Sequence, residues 1–343
     1  MLKYFLHRLP KPSEDLKIII TVPVKNEENY IIDLLQSLTK QKTNDYSSFP
    51  SNLFEVLILC NHCTDHSYEQ CISFVNSHPE IAIHVYSTYD PLINNVGSAR
   101  KLLMDIAYER LYNRNGFITI TDADCVADTF WLYSIYNYYE KPVQLVCGRI
   151  LYDTVGLSDI ESSLLFAKNR YQDLLSYYES KLFPDSDDPW PRHNQNSGPN
   201  MSIRKEMYFK VGGIPATSFL EDIALFERVQ KYSGMVRHCN ETKIITSTRK
   251  ISSVAQGFSS ELHAWSQLTS IYNQYLVSGK EEIYKKYKVW QFIKEKYRYF
   301  TSYNLKVIAN ELFMKYELVV YIYGSSISYR DMIITLDHYL SEN

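Results

Sequence analysis

The segment FITITDADCV, residues 117–126, places Asp122 and Asp124 one alanine apart where a strand-like apolar run stops. Two carboxylates this close repel one another, and a site that holds them together is normally stabilised by an oxygen-seeking cation such as Mg²⁺ or Mn²⁺. The spacing alone is a weak signal, because Asp185 and Asp187 repeat it inside a polar, proline-rich stretch where a solvated turn is the simpler reading. Position decides between them. In open α/β sheets the ligand crevice lies at the carboxyl ends of the strands, and Asp122 and Asp124 sit at such an end. Their competing role is to cap the following helix, which Asp128 or Thr129 could do equally well. A second acidic pair, Glu221 and Asp222, opens a helical pattern soon after the Gly212-Gly213 turn. Acids there stabilise the helix dipole whatever else they do.

The elements that must position these acids alternate regularly. LKIIITVP, FEVLIL, IAIHVYS, GFITIT and VQLVCGRI read as five strands, and the stretches between the first four carry apolar residues at helical spacing. The first helix repeats Ile31, Ile32, Leu34, Leu35 and Leu38 after Asn29, a candidate cap. The second carries Tyr68, Cys71, Ile72 and Val75, and the third runs from Gly97 to Tyr112. This alternation predicts a wound α/β sheet. From about Ile160 a long helix is expected, then FPDSDDPWPRHNQNSGPN, whose prolines, aspartates and asparagines forbid regular structure. Long loops of this kind are commonly functional lids or disordered segments. MSIRKEMYFKVGGIP reads as a short helix entering a Gly-Gly turn, and FLEDIALFERVQKYSG as a helix begun by two acids.

Composition removes several function classes. The 343 residues are 45% hydrophobic, enough for one large core or a core with an appendage. A net charge of -3, with basic residues spread along the chain, offers no footprint for nucleic acid. The apolar run in MLKYFLHRLP is too short for a signal peptide, and every long apolar stretch is interrupted by charge, so a cytoplasmic location is expected. Six cysteines show no framework, and reduced thiols are the simpler reading. Cys60 and Cys63, with His62 and His66 beside them, make half a zinc site by spacing; the second half is missing. The 30 tyrosines scattered over helices read as amphipathic packing.

Five segments in order resemble the family 2 glycosyltransferases with the GT-A fold, over roughly residues 17 to 250. TVPVKNEENYIIDLLQSL is similar to that family's opening strand and helix, LCNHCTDHS to its second-strand motif, NNVGSARKLLMDIA to the segment before its metal strand, and TDADC to its D-x-D. GPNMSIRKEMYFKVGGIP with FLEDIALFERV resembles its acceptor segment and E-D helix. The resemblance implies an α/β fold of GT-A type, a Rossmann-like mixed sheet flanked by helices, spanning residues 1–257. A helical C-terminal extension, 258–343, would follow it.

It also implies that a sugar moves from a nucleotide-diphospho-sugar to an acceptor hydroxyl. Asp122 and Asp124 would hold Mn²⁺ or Mg²⁺ against the diphosphate, with Asp122 near the ribose. Pro23, Asn26, Glu27, Asn61, Asp65 and Arg100 would line the nucleotide pocket. Cys60 and Asn61 stand where many members carry a base-binding aspartate, which leaves UDP- and GDP-sugars both open. Asp222 would act as general base in a single inverting displacement, and Glu221 would orient the acceptor. Arg249, in STRK, would meet the diphosphate or an acidic acceptor. His238 and His263 stand where some members place a third metal ligand, and each reads equally as a structural histidine. The loop around Trp190, Arg192 and His193 would close over the acceptor, with Trp190 suited to stacking on a sugar face. The acceptor is expected to be a glycan, a lipid-linked molecule or a small molecule, in cell-surface polysaccharide or glycolipid synthesis. The C-terminal helices would cover the acceptor side, mediate a homodimer, or make at most peripheral contact at the inner face of a membrane. Two rivals stand beside this reading. A sugar-phosphate nucleotidyltransferase should open with a glycine-rich loop, which VPVKNEEN lacks. A silent nucleotide-sugar or glycan-binding protein on the same fold is the other.

Overall fold

The computed structural model describes residues 2–182 and 184–249. The chain forms two compact units. The described part of the first is 2–157 and 195–249; that of the second is 158–182 and 184–194.

In the first unit a short helix, α1 (Leu2–Leu6), precedes β1 (Ile18–Val24), α2 (Ile31–Thr39), β2 (Phe54–Asn61), α3 (Ser67–Ser77), β3 (Ile83–Thr88), α4 (Val96–Arg110) and β4 (Phe117–Ile120). β5 (Cys125–Ala127), α5 (Trp131–Tyr136) and β6 (Leu145–Tyr152) complete the stretch up to residue 157. α6 (Asp159–Leu182) belongs to the second unit, and the chain then returns to the first with β7 (Met201–Arg204), α7 (Lys205–Lys210), α8 (Glu221–Lys231) and β8 (Val236–Thr246). The eight strands form one mixed sheet in the order β3-β2-β1-β4-β7-β6-β8-β5. β3, β2, β1 and β4 run parallel, with Val24 level with Cys60 and Thr21 level with Ile120. β7 is antiparallel to both β4 and β6, β8 parallel to β6, and β5 antiparallel to β8.

The apolar runs of β1 and β2 are covered on both faces, as parallel strands require. Ile18, Ile20, Val22 and Val24 join Phe54, Val56, Ile58 and Cys60 in a core closed by Leu34, Leu35 and Leu38 of α2 and Phe74 of α3. Ile19, Leu57 and Leu59 face the opposite way, in a core with Leu103, Met104 and Ile106 of α4 that also takes in Leu225 and Val229 of α8. α4 and α8 thus share one core on this face of the sheet.

The five expected strands and the helices over Ser67–Ser77, Val96–Arg110 and Glu221–Lys231 are present. Two local expectations need correction. Met201–Arg204, expected to start a helix, is a strand, because all four residues are buried and pair with β4 and β6. Asn29 does not cap α2: Tyr30 holds the cap position, without a side-chain cap bond.

In the second unit, the stretch after α6 is free of helix and strand among its described residues, as its composition predicts. It is nevertheless tied to its own helix. Ser176 donates to the Arg192 carbonyl at 3.0 Å, Asn194 to Gln172 at 2.6 Å, and Trp190 leans edge-on against Tyr177 at 5.1 Å. The expected helical extension, 258–343, and His263 lie outside the described residues.

Candidate active site at the carboxyl ends of the strands

Where β1 ends, the chain turns through Asn26, which adopts a left-handed φ of 59°. That conformation is uncommon outside glycine, with asparagine among its better tolerated occupants. The Asn26 side chain accepts the Thr64 N–H at 2.8 Å and donates to the Thr64 hydroxyl at 3.2 Å, tying the β1 loop to the β2 loop. Asp65 tightens the same junction: its Oδ2 accepts the Glu28 N–H at 3.0 Å, and its Oδ1 accepts the Ser67 N–H and hydroxyl at 3.1 and 2.6 Å. Burial opposes ionisation of Asp65, but these donors outweigh it and hold the carboxyl below its ordinary range. Asp65 is thus a brace between two loops. Pro23 lies in β1 level with Leu59, and Asn61 closes β2 with its amide oxygen buried and without a hydrogen-bond partner. A buried amide oxygen in that condition is costly unless a ligand or water completes it.

At the end of β4, Asp122 and Asp124 take different partners. Asp122, whose side chain is 31% exposed, gives Oδ1 to the Arg100 guanidinium. Arg100 reaches up from α4, is buried, and gives its other terminal nitrogen to Glu221, the first residue of α8. Burial works against the Arg100 charge, yet Asp122 and Glu221 outweigh it and make the guanidinium harder to deprotonate. Glu221, also buried, has its carboxyl raised by burial, an effect that Arg100 opposes. One arginine therefore holds the D-x-D turn to the E-D helix.

The next residue, Asp222, accepts the Gly198 backbone N–H at 2.5 Å through Oδ2. A larger residue at 198 would displace the arginine or the turn, since a Cβ there would lie 2.3 Å from Arg100 Nη1. Gly97, in the first turn of α4, has a parallel reason: its Cβ would meet the Thr217 carbonyl at 2.0 Å, so glycine lets the chain leading into α8 approach α4. Leu220, just before Glu221, holds a left-handed φ of 57°. Strain of this sort in a leucine persists only where its surroundings enforce it, and it tends to gather at functional sites.

Asp124 faces the other way. Its Oδ2 accepts the Ser247 hydroxyl at 2.7 Å and lies 3.4 Å from Arg249 Nη2, while Arg249 also grips Glu27 through both terminal nitrogens, at 2.5 and 2.7 Å. Burial first, then the charge of Asp122, raises the Asp124 carboxyl. Burial also raises that of Glu27.

The sequence-derived residues thus form two linked sets, Asp122-Arg100-Glu221 with Asp222, and Asp124-Arg249-Glu27, joined through the D-x-D turn. Arg100 and Glu221 face each other inside the protein, so neither is presented to solvent as a free charge. Sequence reading passed over Gly198, Asn200 and Ser247. Asn200 is buried, accepts from the Trp131 indole at 2.9 Å and donates to the Arg149 and Thr242 carbonyls at 3.0 and 2.9 Å, which fixes the turn that carries Gly198. The adjacent Gly-Pro-Asn was the available signal for a tight turn.

A hard divalent cation fits the donor set in part. Asp122 Oδ2 and Asp124 Oδ1 remain outside the arginine pairings. No group of three or more metal-ligating side chains occurs among the described residues. Mg²⁺ and Mn²⁺ suit such a site, because carboxylate oxygen is their preferred donor and Mg²⁺ commonly takes one or two carboxylates with substrate phosphates and water. In the Cys60–Cys63 segment, Cys60 and Cys63 are buried, as is Cys71, and none forms a disulfide. His238 lies in β8 with its ring 6.0 Å from Phe226. No helix among the described residues is long and apolar enough to cross a membrane.

Among solved structures, the mannosyltransferase PcManGT from Pyrobaculum calidifontis, in complex with GDP-Man and Mn²⁺, is 14% identical, with a TM-score of 0.52 over 100% of this chain and 86% of that one. S. aureus TarS 1–349 in complex with UDP-GlcNAc is 15% identical, with a TM-score of 0.50 over 79% of this chain and 70% of that one. The same fragment with UDP gives 15% identity and a TM-score of 0.47 over 68% of this chain, which spans 60% of that fragment. At these identities the likeness is one of fold, a mixed sheet flanked by helices of the GT-A type. A search of curated proteins returns no match. The model of Glycosyl transferase family 2 matches residues 19–211, more than half of the 343, so the chain belongs to that family of glycosyltransferases.

Proposed function

We propose that the protein transfers a sugar from a nucleotide-diphospho-sugar to an acceptor hydroxyl, by one inverting displacement assisted by a divalent cation. The observation that carries this reading is the double pairing of Arg100 with Asp122 and Glu221, which puts the acids at the end of β4 and the start of α8 within the span of one guanidinium. Transfer needs those two functions side by side: charge neutralisation at the leaving diphosphate and a base at the acceptor.

In this mechanism Asp122 and Asp124 would hold Mg²⁺ or Mn²⁺, which would supply charge neutralisation for the leaving diphosphate. Asn26 and Asp65 hold the β1 and β2 loops together around the nucleotide pocket that Pro23, Glu27 and Asn61 line. Arg100 keeps the acidic turn and α8 in register. Asp222, anchored on the Gly198 N–H, takes the proton from the acceptor hydroxyl as that oxygen attacks the anomeric carbon, and the bond to the diphosphate breaks. Glu221 acts by fixing the start of α8 through Arg100. A catalytic domain over 1–257 with a helical extension over 258–343, and a glycan, lipid-linked or small-molecule acceptor in cell-surface polysaccharide or glycolipid synthesis, complete the proposal.

The test is calorimetric titration of UDP and GDP, with Mn²⁺ and again with chelator, into the protein and Asp124→Ala. Cation-dependent binding of one nucleotide, lost in the variant, supports the reading and names the base. Binding of neither nucleotide overturns it, as does retention of anomeric configuration in the product.

A further inference from the structure

Arg249 follows β8 and meets two acids contributed by distant parts of the chain. Its Nη1 and Nη2 donate to Glu27 at 2.5 and 2.7 Å, and Nη2 stands 3.4 Å from Asp124 Oδ2. The guanidinium also lies over the Tyr30 ring, 5.1 Å from its centroid, within the range of a cation–π contact. The side chains of Glu27, Asp124 and Arg249 are only 7%, 14% and 23% exposed, so salt and water screen these pairs poorly. Asp124 Oδ2 accepts from the Ser247 hydroxyl and faces the Arg249 guanidinium, both from the segment after β8, while Asp122 adds a like charge beside it. A second positive charge arriving at Asp124 would meet the first at close range in a sheltered place, where like charges repel most strongly.

We propose that Arg249 is the resident counter-ion of Asp124 in the free protein, and that a divalent cation loads only as the guanidinium leaves that carboxylate. The proposal rests on the reading of Asp122 and Asp124 as the ligands of that cation. Arg249 and the cation then compete for one carboxylate, so weakening one partner must strengthen the other. A diphosphate favours the exchange, because its oxygens offer the arginine fork a bidentate acceptor while bringing further ligands for the cation. Cation and nucleotide binding are coupled through Arg249.

The test is Mn²⁺ binding without nucleotide, read from the electron paramagnetic resonance of free Mn²⁺, for the full chain and Arg249→Gln. The variant is expected to bind Mn²⁺ at least about tenfold more tightly than the unaltered protein. The gain should vanish in Arg249→Gln/Asp124→Asn. Arg249→Lys, a point charge that cannot fork between Glu27 and Asp124, should gain affinity by less. It serves as the measured variant if the glutamine protein melts early. No gain in either variant, or a gain that survives Asp124→Asn, overturns the proposal. Repeating the titrations with UDP and GDP separates the two failures. Mn²⁺ that binds the unaltered protein only with nucleotide, and is lost in Asp124→Asn, upholds the cation reading even where the arginine variants show no gain. Mn²⁺ bound by none of these proteins in any mixture overturns both.

Discussion

Arg100 and Glu221 stand 121 residues apart in the chain and form a buried ion pair that also takes in Asp122. The desolvation of such charges is repaid only while every partner is present, so removing one leaves the others stranded. Arg100→Ala is therefore expected to destabilise the fold by about 3–5 kcal/mol, as breaking a buried pair does. Arg100→Met/Glu221→Leu should recover part of that loss, because hydrophobic replacements remove both charges at once. Urea denaturation of the two variants measures the difference, and equal stability of the single and double variants would contradict the account.

Gly198 tests the same junction from its backbone side. A Cβ at this position would stand 2.3 Å from Arg100 Nη1 and 2.8 Å from Cζ. Gly198→Ala must move either the arginine or the turn, at a cost of about 1–3 kcal/mol typical of overpacking. The N–H that holds Asp222 moves with it, and displacing the proposed base by about 1 Å can cost on the order of 100-fold in rate. The expected result is a large fall in kcat with little change in nucleotide affinity, read from a transfer assay beside calorimetry.

Trp131 secures the turn from below by donating to Asn200 at 2.9 Å. Trp131→Phe deletes the indole N–H and leaves the buried Asn200 oxygen without its donor, a loss of about 1–3 kcal/mol. A thermal melt should show the lowered midpoint. Asn200→Ala in the same background should then add less than it does alone, since the two residues act on one network.

What could be read from the sequence follows from how far each signal extends along the chain. Runs such as FEVLIL and LKIIITVP declare buried parallel strands locally, and D-x-D followed by a helical pattern marks a strand end. MSIR gives no such signal, because four residues cannot show a period and its strand state comes from pairing with β4 and β6. The individual acids were visible as candidates, but not their partners. That Arg100 would face Glu221, and that Arg249 would join Glu27 across 222 residues, depends on tertiary contact. Asp65 shows the opposite case: an acid in the right motif whose oxygens turn inward to backbone N–H groups.

The buried acids also set a pH dependence. Burial raises the Glu221 carboxyl above its ordinary value of 4.5. The folded protein then holds a proton that the unfolded chain has already released, and the stability slope with pH is negative in that window. The contribution of Glu221 is fully present below about 4.5 and is lost as pH rises through the elevated folded value. Glu221→Gln cannot titrate, so its unfolding free energy should fall less steeply than that of the unaltered protein from pH 4.5 upward. Parallel curves from denaturant titrations across that range would argue against a raised Glu221.

Asp222→Asn separates a base from a helix-stabilising acid. Asp222 accepts the Gly198 N–H at 2.5 Å through Oδ2 and the Ile223 N–H at 2.8 Å through Oδ1; an asparagine, with a single oxygen, keeps one of these bonds and loses the other. The substitution removes the charge, which at a helix N-terminus is worth about 0.3–1 kcal/mol, and one hydrogen bond worth about 1 kcal/mol, a sum the fold should survive. An amide cannot take a proton from an attacking hydroxyl, however, and transfer should fall by about 100-fold or more, the contribution usual for a general base. Nucleotide binding should stay within about twofold, because the lost group acts on the transition state and leaves ground-state binding alone. If the variant instead keeps its transfer rate and loses only stability, Asp222 serves α8 as a dipole partner and the proton must leave by another group.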